Sequence, residues 1–337
     1  MRRAGGRGIQ PLVSVVTPVY NGARNLAECI ESVLGQTYAN WEYVIVDNRS
    51  TDRSLAIMQE YAAKDGRIRI HANERHLPIM QNWNHALRRI APESAYVKVV
   101  HADDRIFPGC IAEMVGIAER HPGVGIVGSY RLDDTQVNCN GLSCPGPVVP
   151  GREVCSDTLR ERLYVFGSPT TLLIRAPLVR ERERFYNEDN LHADTEVCFD
   201  ILQRHDFGYV REVLSYTRRG KEAMTCFARR CNTYLPSSLY LLKKYGPVYL
   251  PHEEWTRRFE EKMRGYYRFL GKSLLGGRDR RFWQYHRKAL GDMGCELSLA
   301  RLAYYAALEL GETLSSPGKS AAKLVKKVRN QAAGGRK

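Results

Sequence analysis

Two adjacent carboxylates, Asp103-Asp104, stand just after the apolar run YVKVV at residues 96–100. Hard cations such as Mg²⁺ or Mn²⁺ prefer carboxylate and phosphate oxygens, and one or two protein carboxylates commonly hold them. On an extended segment neighbouring side chains point opposite ways, so one carboxylate is expected on a metal and the other toward a bound ligand. A helix-capping pair ahead of Pro108 is the plainer reading of an Asp-Asp taken alone. Two other apolar runs end in the same manner, one in Thr17-Pro18 and one in Asp47-Asn48. Three polar endings of this kind are harder to dismiss than any one.

The elements that must position them follow from hydrophobic period. Apolar runs begin near Val13, Tyr43, Ile68, Tyr96 and Val124, with helical patterns between them. Leu26, Ile30, Val33 and Leu34 share one helical face, and Asn25 with Glu28 has the spacing of a capping box. Asp52 is placed to cap the next helix. Ile79, Trp83, Leu87 and Ile90 make a third stripe, and Ile111, Met114, Val115 and Ala118 a fourth. Alternation of strand and helix predicts an α/β fold with a mostly parallel sheet and helices on both faces. Ligands bind such sheets beyond the C-terminal strand ends, where all three polar endings fall. Residues 139–150 read as a loop, 168–174 as a returning strand and 191–202 as a helix. Beyond residue 228 the pattern is helical and basic, with stripes at Phe259, Met263, Tyr266, Leu270 and at Leu299, Leu302, Ala306, Leu310. His85, His121, His205 and His286 read as surface residues of helices.

Residues 13–52, VSVVTPVYNG through a helix to QTYANWEYVIVDNRSTD, together with His101-Ala102-Asp103-Asp104, resemble a family 2 glycosyltransferase. The resemblance runs from residue 11 to 219. It implies the GT-A nucleotide-diphospho-sugar transferase fold and an inverting single displacement. Pro18, Tyr20, Asp47, Asn48 and Asp103 match the nucleotide-binding positions, and Asp104 the metal position. Many members carry a second Asp where this chain has Asn48; its amide oxygen can still accept from a pyrimidine N–H. Asp194, in NLHADTEVCFDIL, aligns with the general base, with Glu196 one helical step off and Glu188 and Asp189 in the loop before. Residues 167–171 resemble the segment that shapes the acceptor and donor-sugar side. Arg218 and Arg219 match an arginine-containing stretch near the diphosphate, and His101 stands where the family usually has an acidic or small residue. The implied partners are a nucleoside diphosphate sugar donor, a divalent cation (Mg²⁺ or Mn²⁺) and a saccharide or lipid-linked saccharide acceptor. The QxxRW motif and membrane helices of processive members are absent from the sequence, which predicts transfer of one or a few sugars. A sugar-nucleotide pyrophosphorylase is less apt, since TPVYNGARN holds one glycine where a glycine-rich basic loop belongs. A non-catalytic scaffold of the same fold is opposed by the retained Asp103, Asp104 and Asp194.

The formal charge of +14 admits nucleic acid, anionic lipid or phosphorylated ligands as partners. Neither zinc-finger spacing nor an RNP-like motif occurs, which ranks nucleic acid last. The nine cysteines match no common metal spacing and read as reduced thiols of a cytoplasmic protein. The expected organisation is a disordered basic segment 1–10, a GT-A domain 11–228, a helical region 229–314 and a basic tail 315–337. That tail has seven basic residues and no acidic one. Leu324, Val325 and Val328 share a face among its lysines, suited to peripheral contact with an anionic inner membrane surface.

Overall fold

A computed structural model describes residues 10–143, 145–219 and 223–315. Residues 1–9 and, of the basic tail, 316–337 therefore lie outside the described residues. The chain divides in sequence into two compact units, 1–220 and 221–337, ahead of the boundary read from the sequence.

The first unit is built on strands and helices that alternate along the chain. In order they are β1 (Val13–Val19), α1 (Leu26–Leu34), β2 (Trp41–Asp47), α2 (Ser54–Ala62), β3 (Ile68–Ala72), α3 (Ile79–Leu87) and β4 (Tyr96–Val99). There follow β5 (Arg105–Ile106), α4 (Cys110–Arg120), β6 (Val124–Asp133), β7 (Gln136–Asn138), β8 (Val148–Val149) and α5 (Gly151–Leu159). β9 (Leu173–Arg175), α6 (Ala176–Arg180), α7 (Ala193–Ile201) and β10 (Asp206–Thr217) complete it. The sheet runs β3-β2-β1-β4-β9-β6-β10-β5. Its long ladders, β1 with β2 and β4, β2 with β3, and β6 with β10, are parallel. Short β9 is antiparallel to both β4 and β6 and welds the two parallel blocks together. Every residue of β1 is buried, as a strand covered on both faces requires. Val15, Tyr43, Ile30, Met114 and Ile117 belong to one apolar cluster spanning strands and helices.

Several local expectations change. Asn25 makes no side-chain cap bond. Its intended partner Glu28 is drawn instead to Arg105 and Arg218, because two guanidiniums outcompete one backbone N–H. Arg53, not Asp52, holds the cap position of α2; Asp52 accepts from the Ser54 amide at 2.9 Å and from the Ala23 amide at 3.0 Å. Residues 169–171 form a 3-10 turn rather than strand, closed by the Ser168 amide donating to Thr171 Oγ1 at 3.3 Å and the Thr171 amide to Ser168 O at 2.8 Å.

The second unit holds α8 (Ala223–Cys231), α9 (Tyr234–Tyr249), α10 (His252–Leu275), α11 (Arg280–Asp292) and α12 (Leu299–Ser315). Met263, Tyr266, Leu270, Phe282 and Leu290 centre its own apolar cluster. His286, read from sequence as a surface residue, is fully buried there, with its Nδ1 2.7 Å from the Tyr266 hydroxyl. Leu302 and Ala306 of the last stripe are buried, but Leu299 and Leu310 are exposed.

Candidate active site

The site lies where the parallel ladder opens. β1 stays paired with β2 up to Val19 and Asp47, but its ladder with β4 ends at Val16 and Val99. Pro18 sits in that gap, where its missing N–H costs no ladder bond. Thr17 bridges the opening, its hydroxyl donating to Val100 O at 2.7 Å and lying 2.9 Å from the Tyr43 hydroxyl. Asn21 adopts left-handed φ 50°, and its Oδ1 accepts from the Thr51 amide at 2.8 Å. The Gly22 amide donates to Ser54 Oγ at 2.9 Å. These bonds staple the loop after β1 to the loop after β2. A Cβ on Gly22 would stand 3.2 Å from that of Ala102, so the same loop also packs on the acidic turn.

Asp103 and Asp104 belong to a tight turn rather than an extended segment: the Asp104 amide donates to His101 O at 3.0 Å. Turning the chain gathers what extension would have splayed. One ligand atom each from His101, Asp103 and Asp104 lies within 4.8 Å of the others. Asp104 is buried and accepts from Thr217 Oγ1 at 3.2 Å and the Arg218 amide at 3.3 Å. Burial, then the charge of Asp103, pushes its carboxyl up to about 7. His101 Nδ1 is 3.9 Å from Asp104 Oδ2, and its Nε2 is buried with no hydrogen-bond partner. Surplus carboxylate charge beside an unsatisfied imidazole is a donor set that fits a hard divalent cation.

Asp194 is the second residue of α7 and is half-buried. Burial raises its carboxyl above the ordinary range, and the His101 ring opposes the shift. Burial lowers His101, against pulls from Asp103 and Asp194. His101 is thus electrostatically linked to both Asp103 and Asp194. Glu196 is engaged elsewhere. Buried, it accepts from Asn190 Nδ2 at 2.7 Å and Asn187 Nδ2 at 3.1 Å, fastening the loop that precedes α7.

Other expected residues are placed less simply. Tyr20 is 52% exposed, its ring 4.5 Å from that of His76. Asp47 ends β2 buried and accepts from the Ser50 amide at 3.2 Å. Asn48 is not free to meet a base through its amide oxygen, which accepts from the Leu77 amide and Asn73 Nδ2, each at 2.9 Å. Its Nδ2 donates back to Leu77 O at 2.8 Å, so Asn48 shapes the loop that carries His76. Arg218 donates to Glu28 at 2.6 Å and Arg219 to Asp133 at 2.7 Å. A diphosphate would have to share these guanidiniums with carboxylates already in place.

Sequence reading missed the wall of the site. Trp83, assigned to a core stripe, lies tilted 4.5 Å from the ring of His101 and edge-on 5.5 Å from that of Tyr186. It also missed Lys98, fully buried on β4, whose Nζ donates to Thr170 O at 2.6 Å and Leu172 O at 3.2 Å. Thr170 Oγ1 in turn accepts from the His101 amide at 3.1 Å. A lysine inside an apolar strand run was the available signal, since lysine is almost never fully buried unless paired.

Residues 14–142 match the family model described as glycosyl transferase family 2. EpsE of Bacillus subtilis (strain 168) is 33% identical over 268 residues, which cover 75% of this chain and 95% of EpsE. The chain belongs to glycosyl transferase family 2. This family 2 glycosyltransferase also shares its fold with solved structures. S. aureus TarS 1-349 in complex with UDP-GlcNAc superposes with TM-score 0.60 at 18% identity, over 83% of this chain and 80% of that one. Mannosyltransferase PcManGT from Pyrobaculum calidifontis, in complex with GDP-Man and Mn²⁺, superposes with TM-score 0.54 at 16% identity, over 94% and 84%. The expected GT-A architecture is thereby established for this glycosyltransferase.

Proposed function

We propose that this enzyme is an inverting glycosyltransferase that moves a sugar from a nucleoside diphosphate sugar to a saccharide or lipid-linked saccharide, in polysaccharide or lipopolysaccharide assembly. The observation that carries this reading is the acidic turn, where one ligand atom each of His101, Asp103 and Asp104 lies within 4.8 Å of the others, with Asp194 near enough to act on the charge of His101. Asp104, with Asp103 and His101, would hold a divalent cation, which when bound supplies Lewis-acid neutralisation of the leaving diphosphate. The Mn²⁺ and nucleotide sugars of the structural neighbours lend support to that donor and cation. Tyr20 and His76 offer ring faces to a nucleobase, and Asp47 and Asp103 offer carboxylates to the nucleoside.

Asp194 takes the proton of the acceptor hydroxyl. The acceptor oxygen then bonds to the anomeric carbon opposite the diphosphate, the bond from that carbon to the diphosphate breaks, and configuration inverts. A base held at the edge of a partly buried site is stronger than an exposed aspartate, which favours this step. Trp83, partly exposed and backed by buried Tyr186, offers an apolar surface on which a sugar face can lie. The basic segment 315–337 brings the enzyme into peripheral contact with an anionic inner membrane surface.

Asp194→Asn should retain donor affinity in calorimetry while transfer falls by about 10²–10⁴. Normal turnover of that variant would exclude Asp194 as the base.

A further inference from the structure

α12 presents two unlike faces. One packs on α10 through buried Leu302 and Ala306, so closely that a Cβ on Gly271 would stand 2.7 Å from the Ala306 nitrogen. Glu309 receives Arg268 at 2.7 Å beside this seam. The opposite face is open. Leu299 is 71% exposed, Tyr304 60%, Leu310 47% and Leu308 44%. At 3.6 residues per turn they lie with Ala300, Ala303, Ala307 and Gly311 on an arc of roughly half the helix. That arc holds no charged residue; Arg301 and Glu312 stand at its border. A solvent-facing helix surface normally carries charged and polar side chains. At the adjoining end of α10, Leu274 and Leu275 are also exposed, where Lys272 reaches Glu309 at 4.0 Å.

We propose that this face of α12 inserts into the headgroup layer of an anionic bilayer, lying flat in its surface. The sequence that follows directly, residues 316–337, has seven basic residues and no acidic one, which supplies the complementary charge. No described helix is long and apolar enough to cross a membrane. An apolar arc next to a basic segment matches an interfacial helix. The inference rests on the peripheral-contact reading above and adds the element that enters the lipid. A face buried in lipid also fits a glycosyltransferase whose acceptor is anchored there.

Sedimentation of the full chain with phosphatidylglycerol-containing vesicles and with pure phosphatidylcholine vesicles tests it. The parent should bind the anionic vesicles, less so as salt rises. Tyr304→Glu/Leu308→Glu, with unchanged circular dichroism, should bind them about tenfold or more weakly, because both side chains would then resist leaving water. In a separate Leu308→Trp variant, anionic vesicles should shift the added tryptophan emission to the blue. If the double variant binds as well as the parent while removal of residues 316–337 abolishes binding, the tail acts alone. The α12 proposal then falls although peripheral contact stands. If the parent itself ignores anionic vesicles, both fall. A parent that dimerises through this face, becomes monomeric in the double variant and leaves Leu308→Trp emission unmoved by vesicles also overturns it.

Discussion

His101 joins the parts of the site that differ most in chemistry. Its ring lies tilted against Trp83, faces the Asp104 carboxylate and senses Asp194. The Asp104 carboxyl, pushed up to about 7 by burial and then by Asp103, holds a proton below that pH and loses it above. A proton and a cation compete for the same oxygens, so metal affinity must fall as pH drops through about 7. Titration of Mn²⁺ with UDP present should give up to about tenfold weaker binding per pH unit below that value, and a flatter response above it. Equal affinity at pH 6 and pH 8 would remove Asp104 from the metal. Asp194 and Glu196 show how two nearby carboxylates divide labour. Glu196 is committed to the amides of Asn187 and Asn190, whereas Asp194 remains half-exposed to the site.

At the scale of elements, the acidic turn is only as firm as the 3-10 turn beside it. Lys98 on β4 holds the carbonyls of Thr170 and Leu172, and Thr170 holds the His101 amide. Burial pulls the Lys98 pKa down, so its charge is retained at a cost that these carbonyls help offset. Lys98→Met keeps most of the apolar stem and removes the donor, so the Thr170 and Leu172 carbonyls lose this partner. Such a loss typically costs about 1–3 kcal/mol. Thermal unfolding should register that loss, and Mn²⁺ affinity should fall with it. A variant as stable as the parent, with unaltered Mn²⁺ binding, would detach Lys98 from the support of the site.

At the scale of the molecule, each compact unit has its own apolar cluster. The candidate site draws every residue from the first. Calorimetric unfolding should therefore resolve two transitions, and UDP with Mn²⁺ should raise only one. Ligand at a hundred times its dissociation constant stabilises the unit that binds it by about 2.7 kcal/mol. A single transition that rises as a whole with ligand would show that the units unfold as one block.

Much of this was written in the order of residue types. Alternating apolar runs and helical stripes announced the α/β sheet, and the polar endings at Thr17-Pro18, Asp47-Asn48 and Asp103-Asp104 fall at or just beyond the C-terminal ends of its strands. Those signals are local, carried by period and by strand ends, so a linear reading can find them. What folding added lies between segments far apart in sequence. Asn48 was legible as a base contact, yet the loop at residues 73–77 claims its amide. Glu28 was legible as half of a capping box, yet Arg218, distant in the chain, takes its carboxylate. Trp83 looked like core because period reports which face of a helix is apolar, not what that face meets. Lys98 passed unremarked inside an apolar run, because its two carbonyl partners come from the turn before β9. Leu299 fitted a buried stripe, but one neighbouring helix covers only part of α12, and the rest of its apolar surface stays open.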